Sequence, residues 1–123
     1  MRRTYEYVVV GGGILGLALA WEISRREPLS STLILEQEVA LGLHASGNNS
    51  GVVHAGIYYQ PGSLKARLSV EGGELMRKFL NDNSVEHRVC GKVIVAKNSA
   101  ELQSLDALFS RGTENGAELE RID

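Results

Sequence analysis

The run Val8-Val9-Val10-Gly11-Gly12-Gly13-Ile14-Leu15-Gly16 constrains this chain more than any other stretch of it. Four glycines this close together weaken the interior of any strand or helix, because glycine loses the most backbone freedom on folding. They mark a turn, and the flanks say what it joins. Tyr5 to Val10 is β-rich and ends in an unbroken apolar run, the pattern of a parallel strand buried on both faces. Past the glycines, Gly16, Ala20 and Ile23 share one face of a helix predicted to run to Arg25 or Arg26, closed by Pro28 and Ser30-Ser31. Thr32-Leu33-Ile34-Leu35 is a second predicted strand, with Glu36 at its end and Gln37 beside it.

Strand, turn, helix, strand and acid together are the context that G-x-G-x-x-G requires to mean dinucleotide binding. Gly11 permits the tight turn, Gly13 lets backbone approach a pyrophosphate, and Gly16 lets the helix press on the strand. The first helical residues, Ile14 and Leu15, offer N–H groups and a partial positive charge to phosphates. Glu36 stands where a carboxylate accepts hydrogen bonds from adenosine ribose hydroxyls, and its charge argues against NADP. The fingerprint alone does not choose between NAD and FAD. A rival reading takes Met1-Arg2-Arg3 and the apolar run to Trp21 as a secretory signal, but Tyr5, Glu6, Tyr7 and the glycines fit it poorly.

Composition narrows the partners. The 123 residues carry 13 basic and 15 acidic side chains, a net charge of -2, too little positive charge for a nucleic-acid backbone. The lone cysteine, Cys90, excludes an internal disulfide framework and a multi-cysteine metal site and fits a reducing compartment such as the cytoplasm.

Nine of the 14 glycines lie in the first 62 residues, and a second cluster spans 42–62. Ser46, Asn48, Asn49 and Ser50 are donors suited to a pyrophosphate or a flavin rim, and Gly47, Gly51 and Gly56 would let main-chain N–H groups approach the same ligand. An ordinary polar turn is the alternative.

At Ala-Ser-Gly-Asn-Asn-Ser-Gly-Val-Val-His-Ala-Gly-Ile-Tyr-Tyr (45–59) and Pro-Gly-Ser-Leu-Lys-Ala (61–66), taken with the first motif and Leu-Ile-Leu-Glu (33–36), the chain resembles the FAD-dependent D-amino-acid-oxidase-type superfamily. Within it the chain is most similar to L-2-hydroxyglutarate oxidases and dehydrogenases. The resemblance implies that Gly11, Gly13, Gly16 and Glu36 hold the adenosine diphosphate half of FAD. It places Ser46, Asn49, Ser50 and Gly51 along the pyrophosphate, ribityl chain or flavin edge, and His54 near the ring. Some members attach FAD through a histidine in this region, but the spacing here differs by one residue, so non-covalent FAD is expected. The implied reaction oxidises L-2-hydroxyglutarate to 2-oxoglutarate by hydride transfer to flavin N5, with His54 a candidate base or a structural histidine. Other superfamily oxidases, acting on glycine, sarcosine, a D-amino acid or glycerol 3-phosphate, and a non-catalytic dinucleotide-binding module are the alternatives.

Downstream, Ser63 caps a predicted helix to about Leu80 with Leu64, Leu68, Leu75 and Phe79 as its apolar stripe. Gly72-Gly73 would weaken it or allow close packing. Lys65 and Arg67 are solvated charges or an anion site. Val89–Ala96 reads as a strand, and Asn98 with Glu101 as a capping box for a helix ending at Asn115-Gly116. Cys90 is expected as a packed thiol, and His44 and His87 have no metal-ligand spacing. The expected fold class is α/β: an incomplete Rossmann-like FAD-binding unit over residues 1–84, then the opening of a substrate-binding α+β part over 85–123. Two or three strands do not complete such a sheet, so the chain reads as an N-terminal fragment, inactive alone, whose bare sheet edge invites self-association. No spanning helix is expected; peripheral contact on the cytoplasmic side of a membrane stays open.

Overall fold

A computed structural model describes residues 4–122; Met1-Arg2-Arg3, the basic start of the rival signal reading, lies outside the described residues, as does Asp123. The elements in chain order are β1 (Tyr7–Val10), α1 (Ile14–Arg26), β2 (Thr32–Leu35), α2 (Leu64–Asp82) and α3 (Ser99–Glu114). They fall into two compact units, one up to Val52 and one from Val53 onward.

The first unit is a mixed α/β arrangement in which β1 and β2 pair in parallel, Tyr7 opposite Thr32 and Val10 opposite Leu35. Parallel neighbours need a crossover, and α1 supplies it. Helix α1 lies on one face of the pair, with Gly16, Ala20 and Ile23 half-buried as expected. A Cβ added at Gly16 would run into the Gly11 carbonyl oxygen and come within 3.2 Å of Val9 Cγ1. That close approach buries Val9, while Val8 and Val10 are exposed on the other face, Val10 at 83%. The expectation of a strand buried on both faces is therefore corrected: the described residues cover one face, and the apolar run alternates inside and out. Helix α1 ends at Glu27, whose N–H donates to Ile23 O at 2.8 Å, and Pro28 prevents its continuation.

The second unit is built on a segment rather than a sheet. Gly56, at φ +79°, lets the chain lie against α2, where its missing Cβ would sit 3.2 Å from Val70 Cγ2 and 3.3 Å from Ser69 Cβ. Further along α2, Gly73 is buried beside the His54 carbonyl. Across the segment, Gly112 of α3 leaves room for Ile57, one of three buried apolar side chains among the described residues, with Val9 and Ala66. Asn115, at the end of α3, donates from Nδ2 to the carbonyls of Gly56 at 3.0 Å and Tyr59 at 2.9 Å. Both helices start where expected: Ser63 Oγ accepts from Ala66 N–H at 3.2 Å, and Asn98 Oδ1 from Glu101 N–H at 3.0 Å, while Glu101 reaches back to Lys97 N–H.

Three expectations fail here. The side of α2 that packs is Ala66, Val70 and Gly73, so Leu64, Leu68 and Leu75 of the expected stripe face outward, Leu75 at 69% exposure, while Phe79 is 36% exposed. Small residues win because segment 53–57 approaches too closely for leucine. Residues 89–96 form no strand, since no described neighbour supplies a ladder, although Val93 and Val95 are exposed and Ile94 and Ala96 half-buried in strand-like alternation. Cys90 on this segment is free and exposed, not packed.

Glycine substitutions should separate helix propensity from packing. Gly72 has open space around its missing Cβ, so Gly72→Ala should stabilise the chain by up to about 1 kcal/mol, the propensity difference. Gly16→Ala should destabilise it by about 1–3 kcal/mol, because the clash with a backbone carbonyl outweighs that same gain. Urea denaturation of both variants checks the opposite signs.

Candidate functional site

The carboxyl ends of β1 and β2 open onto a cleft of about 310 Å³, at the low end for small-molecule sites. It is lined by Val10, Gly11 and Gly13 from one strand end and by Leu35 to Glu38 and Gly42 to Ser46 from the other. Its floor is a set of backbone contacts. Gly11, at φ +104°, makes the turn out of β1 and donates its N–H to Leu35 O at 2.8 Å. Glu36 closes the next link: Oε2 accepts from Gly12 N–H at 2.6 Å and Oε1 from Glu38 N–H at 3.0 Å. These two bonds, Glu38 first, hold the Glu36 carboxyl below its ordinary range. A carboxylate has about four lone-pair sites, so each oxygen can still accept from a hydroxyl.

The second glycine-rich segment folds back over the start of α1. Gly42, at φ +75°, donates to Gly12 O at 3.0 Å, and Ser46 Oγ accepts the Ile14 N–H at 2.8 Å. A Cβ at Gly13 would sit 3.2 Å from that hydroxyl. Helix α1 has no cap from its own N-cap side chain, so its remaining first-turn N–H groups are available to an anion. His44 Nε2 lies 2.9 Å from Glu38 Oε1, on the cleft wall.

Of the residues expected to bind a cofactor, Gly11, Gly13, Glu36, Gln37 and Ser46 line this cleft together. Ile14 and Leu15 occupy the first turn of α1 with exposed side chains, and Gly16 sits behind the turn. Asn48 and Asn49 behave as loop staples. Asn48 Nδ2 donates to Leu43 O and His44 O, both at 2.9 Å, and Asn49 Nδ2 to Ala45 O and Ser46 O at 3.2 and 2.7 Å. Asn49 Oδ1 accepts from Gly51 N–H at 2.7 Å, and Ser50 beside it is exposed. Gly47 spends its freedom within the loop, a Cβ there meeting Gly42 O at 2.5 Å, and Gly56 serves the packing on α2. His54 belongs to the second unit, where its carbonyl lies by Gly73 and its side chain is exposed. Arg67 is exposed and lies 3.7 Å from Glu71, as the solvated-charge reading has it.

Sequence reasoning passed over Gly12, Gly42, Glu38 and His44. Gly12 is buried, and a Cβ on it would meet Leu41 Cδ2 at 2.5 Å and Glu36 Oε2 at 2.9 Å. The motif's variable position is therefore the one whose N–H the acid takes.

The sequence profile described as "FAD dependent oxidoreductase" (DAO) matches residues 6–123. The chain belongs to that family, whose cofactor is FAD. It is 47% identical over 112 residues to a protein of Dictyostelium discoideum named "L-2-hydroxyglutarate dehydrogenase, mitochondrial", covering 91% of this chain and 25% of that one. Proteins of the same name from Caenorhabditis elegans and Homo sapiens are 48% identical over 120 residues and 44% over 113, covering 97% and 92% of this chain and 28% and 24% of theirs. The chain thus spans about a quarter of the length of these curated relatives.

The donor set fits the adenosine diphosphate half of FAD. A carboxylate with spare acceptor sites lines the cleft, glycine backbone free of Cβ lines the turn, and the helix start that follows has one N–H, that of Ile14, taken by Ser46. Because the Glu36 pKa is lowered on folding, its stabilising bonds are complete above the ordinary carboxylate range and are lost as pH falls through the lowered value. An NMR titration should therefore show the Gly12 and Glu38 amide protons shifting together, below the usual carboxylate pKa, and Glu36→Gln should abolish that common step.

Proposed function

We propose that this chain forms the adenosine-binding part of a non-covalent FAD site in an enzyme that oxidises L-2-hydroxyglutarate to 2-oxoglutarate. The observation that carries the reading is the single cleft in which Gly11, Gly13, Glu36 and Ser46 converge at the ends of two parallel strands. The substrate rests on the names of the relatives, 44–49% identical along nearly the whole chain. In this reading the first unit is the beginning of a Rossmann-like fold, residues 1–84 serve the FAD-binding domain, and 85–123 open the substrate-binding part. The single cysteine supports a reducing compartment such as the cytoplasm. Among the described residues no helix is long and apolar enough to cross a membrane.

Glu36 would accept the ribose hydroxyls through the lone pairs that Gly12 and Glu38 leave free, so the ribose binds without displacing either bond. The diphosphate would lie along Gly13 and the first turn of α1, with Ser46 holding the loop against that turn. FAD, when bound, supplies the two-electron acceptor for the hydride that leaves the substrate C2–H. His54, exposed in the second unit, is the candidate to take the hydroxyl proton.

Titration with FAD and with NAD, followed by flavin fluorescence and thermal melting, tests the cofactor. FAD should bind and raise the melting temperature, NAD should do neither, and Glu36→Ala should weaken FAD by about tenfold through the lost charged hydrogen bonds. For the substrate, flavin bleaching by L-2-hydroxyglutarate in the holoenzyme supports the reading. Bleaching by glycine, sarcosine or glycerol 3-phosphate instead overturns it.

A further inference from the structure

The second unit brings two cations onto one tyrosine. Lys92, on the segment before α3, donates from Nζ to Tyr58 Oη at 2.7 Å, and its ammonium lies 4.9 Å from the ring centroid. Arg111 of α3 reaches the Tyr58 carbonyl oxygen from Nη1 at 3.4 Å. The two donors are 34 and 53 residues away along the chain, so these contacts belong to the packing of the unit. Among the described residues neither cation forms an ion pair with a carboxylate, whereas Arg25, Arg26, Arg67, Lys78 and Arg121 each do. Positive charge is therefore left unneutralised at Tyr58, in a chain whose net charge is -2.

Donor count decides what this charge can hold. An ammonium has three N–H donors and no acceptor, and a phenol that accepts a hydrogen bond keeps its own proton to donate. One Lys92 donor is spent on Tyr58, which leaves two N–H groups and the Tyr58 O–H; among the described residues no acceptor takes that O–H. Donors alone, beside positive charge, suit an anion with two or more acceptor oxygens and repel a cation. A carboxylate meets that description. The bond to Tyr58 also restrains the lysine side chain beforehand, so less rotamer freedom is lost when a ligand binds. Tyr58 is 48% exposed and Lys92 is exposed, so a ligand can reach both. His54, the candidate proton acceptor, precedes Tyr58 by four residues in the same unit, a span of at most about 14 Å.

We propose that Tyr58 and Lys92 bind a carboxylate of the 2-hydroxy acid substrate, the ammonium supplying charge and the phenol a directed second donor. The pair acts on substrate affinity and leaves the hydride and proton steps to other groups. The inference rests on the substrate reading above.

The test uses the FAD-loaded holoenzyme as wild type, Lys92→Gln, Lys92→Arg and Tyr58→Phe. Glutarate, a dicarboxylate with no hydroxyl to oxidise, is titrated against the absorbance of the oxidised flavin, which reads binding without turnover. Its Kd should weaken about tenfold in Lys92→Gln, the scale of a lost charge-assisted hydrogen bond, and about threefold in Tyr58→Phe. Lys92→Arg should recover most of the loss, since a guanidinium keeps both charge and donors. The KM for L-2-hydroxyglutarate should rise in step, with kcat little changed. Turnover of L-2-hydroxypentanoate, which lacks the second carboxylate, tells the two ends of the substrate apart. A KM that rises only for the dicarboxylate puts the pair at C5, one that rises for both puts it at C1, and either upholds the proposal. A lower melting temperature in Lys92→Gln with Kd and KM unchanged makes the pair a structural tie and overturns it, as does a loss confined to kcat. Should Lys92→Gln fail to hold flavin, Tyr58→Phe carries the same comparison. A wild type that neither binds glutarate nor oxidises L-2-hydroxyglutarate overturns the substrate reading, and this inference with it.

Discussion

The Glu36 carboxylate ties together the ends of two parallel strands. It accepts the Gly12 N–H from the turn after β1 and the Glu38 N–H from the segment after β2. The Gly12 N–H, unlike that of Gly11, has no strand or helix partner of its own, and an unpaired donor in a buried place is costly. One side chain therefore satisfies two orphan groups and sets the width of the cleft between them. Gly12 can come this near only because it lacks a Cβ, and the same nearness places Gly42 within reach of the Gly12 carbonyl. The loop that carries Ser46 back to the start of α1 begins from those bonds.

Close backbone approach plays the corresponding part in the second unit. There the segment around Gly56 and Ile57 is the common partner of two helices, meeting α2 through Ala66, Val70 and Gly73 and α3 through Gly112 and Asn115. Large apolar side chains contribute little to either interior; of the described ones, only Val9 and Ile57, with the smaller Ala66, are buried. Leucines at 64, 68 and 75 present their area outward, where it stays in contact with water and adds no burial energy.

Local signals were read well because their physics is local. The turn at Gly11, the span of α1, and the caps at Ser63 and Asn98 each depend on residues within one turn of chain, and each is found where the pattern places it. The failures all needed a neighbour distant in sequence. Whether 89–96 becomes a strand depends on a partner ladder, and whether Cys90 is packed follows from that. Which side of α2 is buried depends on how near segment 53–57 comes.

The amino-acid sequence by itself determined the βαβ order, the positions of turn and caps, and the family, since glycine φ, helix periodicity and cap chemistry act through the chain's own covalent neighbours. Tertiary structure alone decided that Gly12 and not only the motif's named glycines serves the acid, that Glu38 and His44 stand on the wall of the same cleft, and that α2 packs through its small residues. The physical reason is distance: each of these depends on gaps of a few ångströms between segments, and such gaps exist only once the backbone has closed on itself.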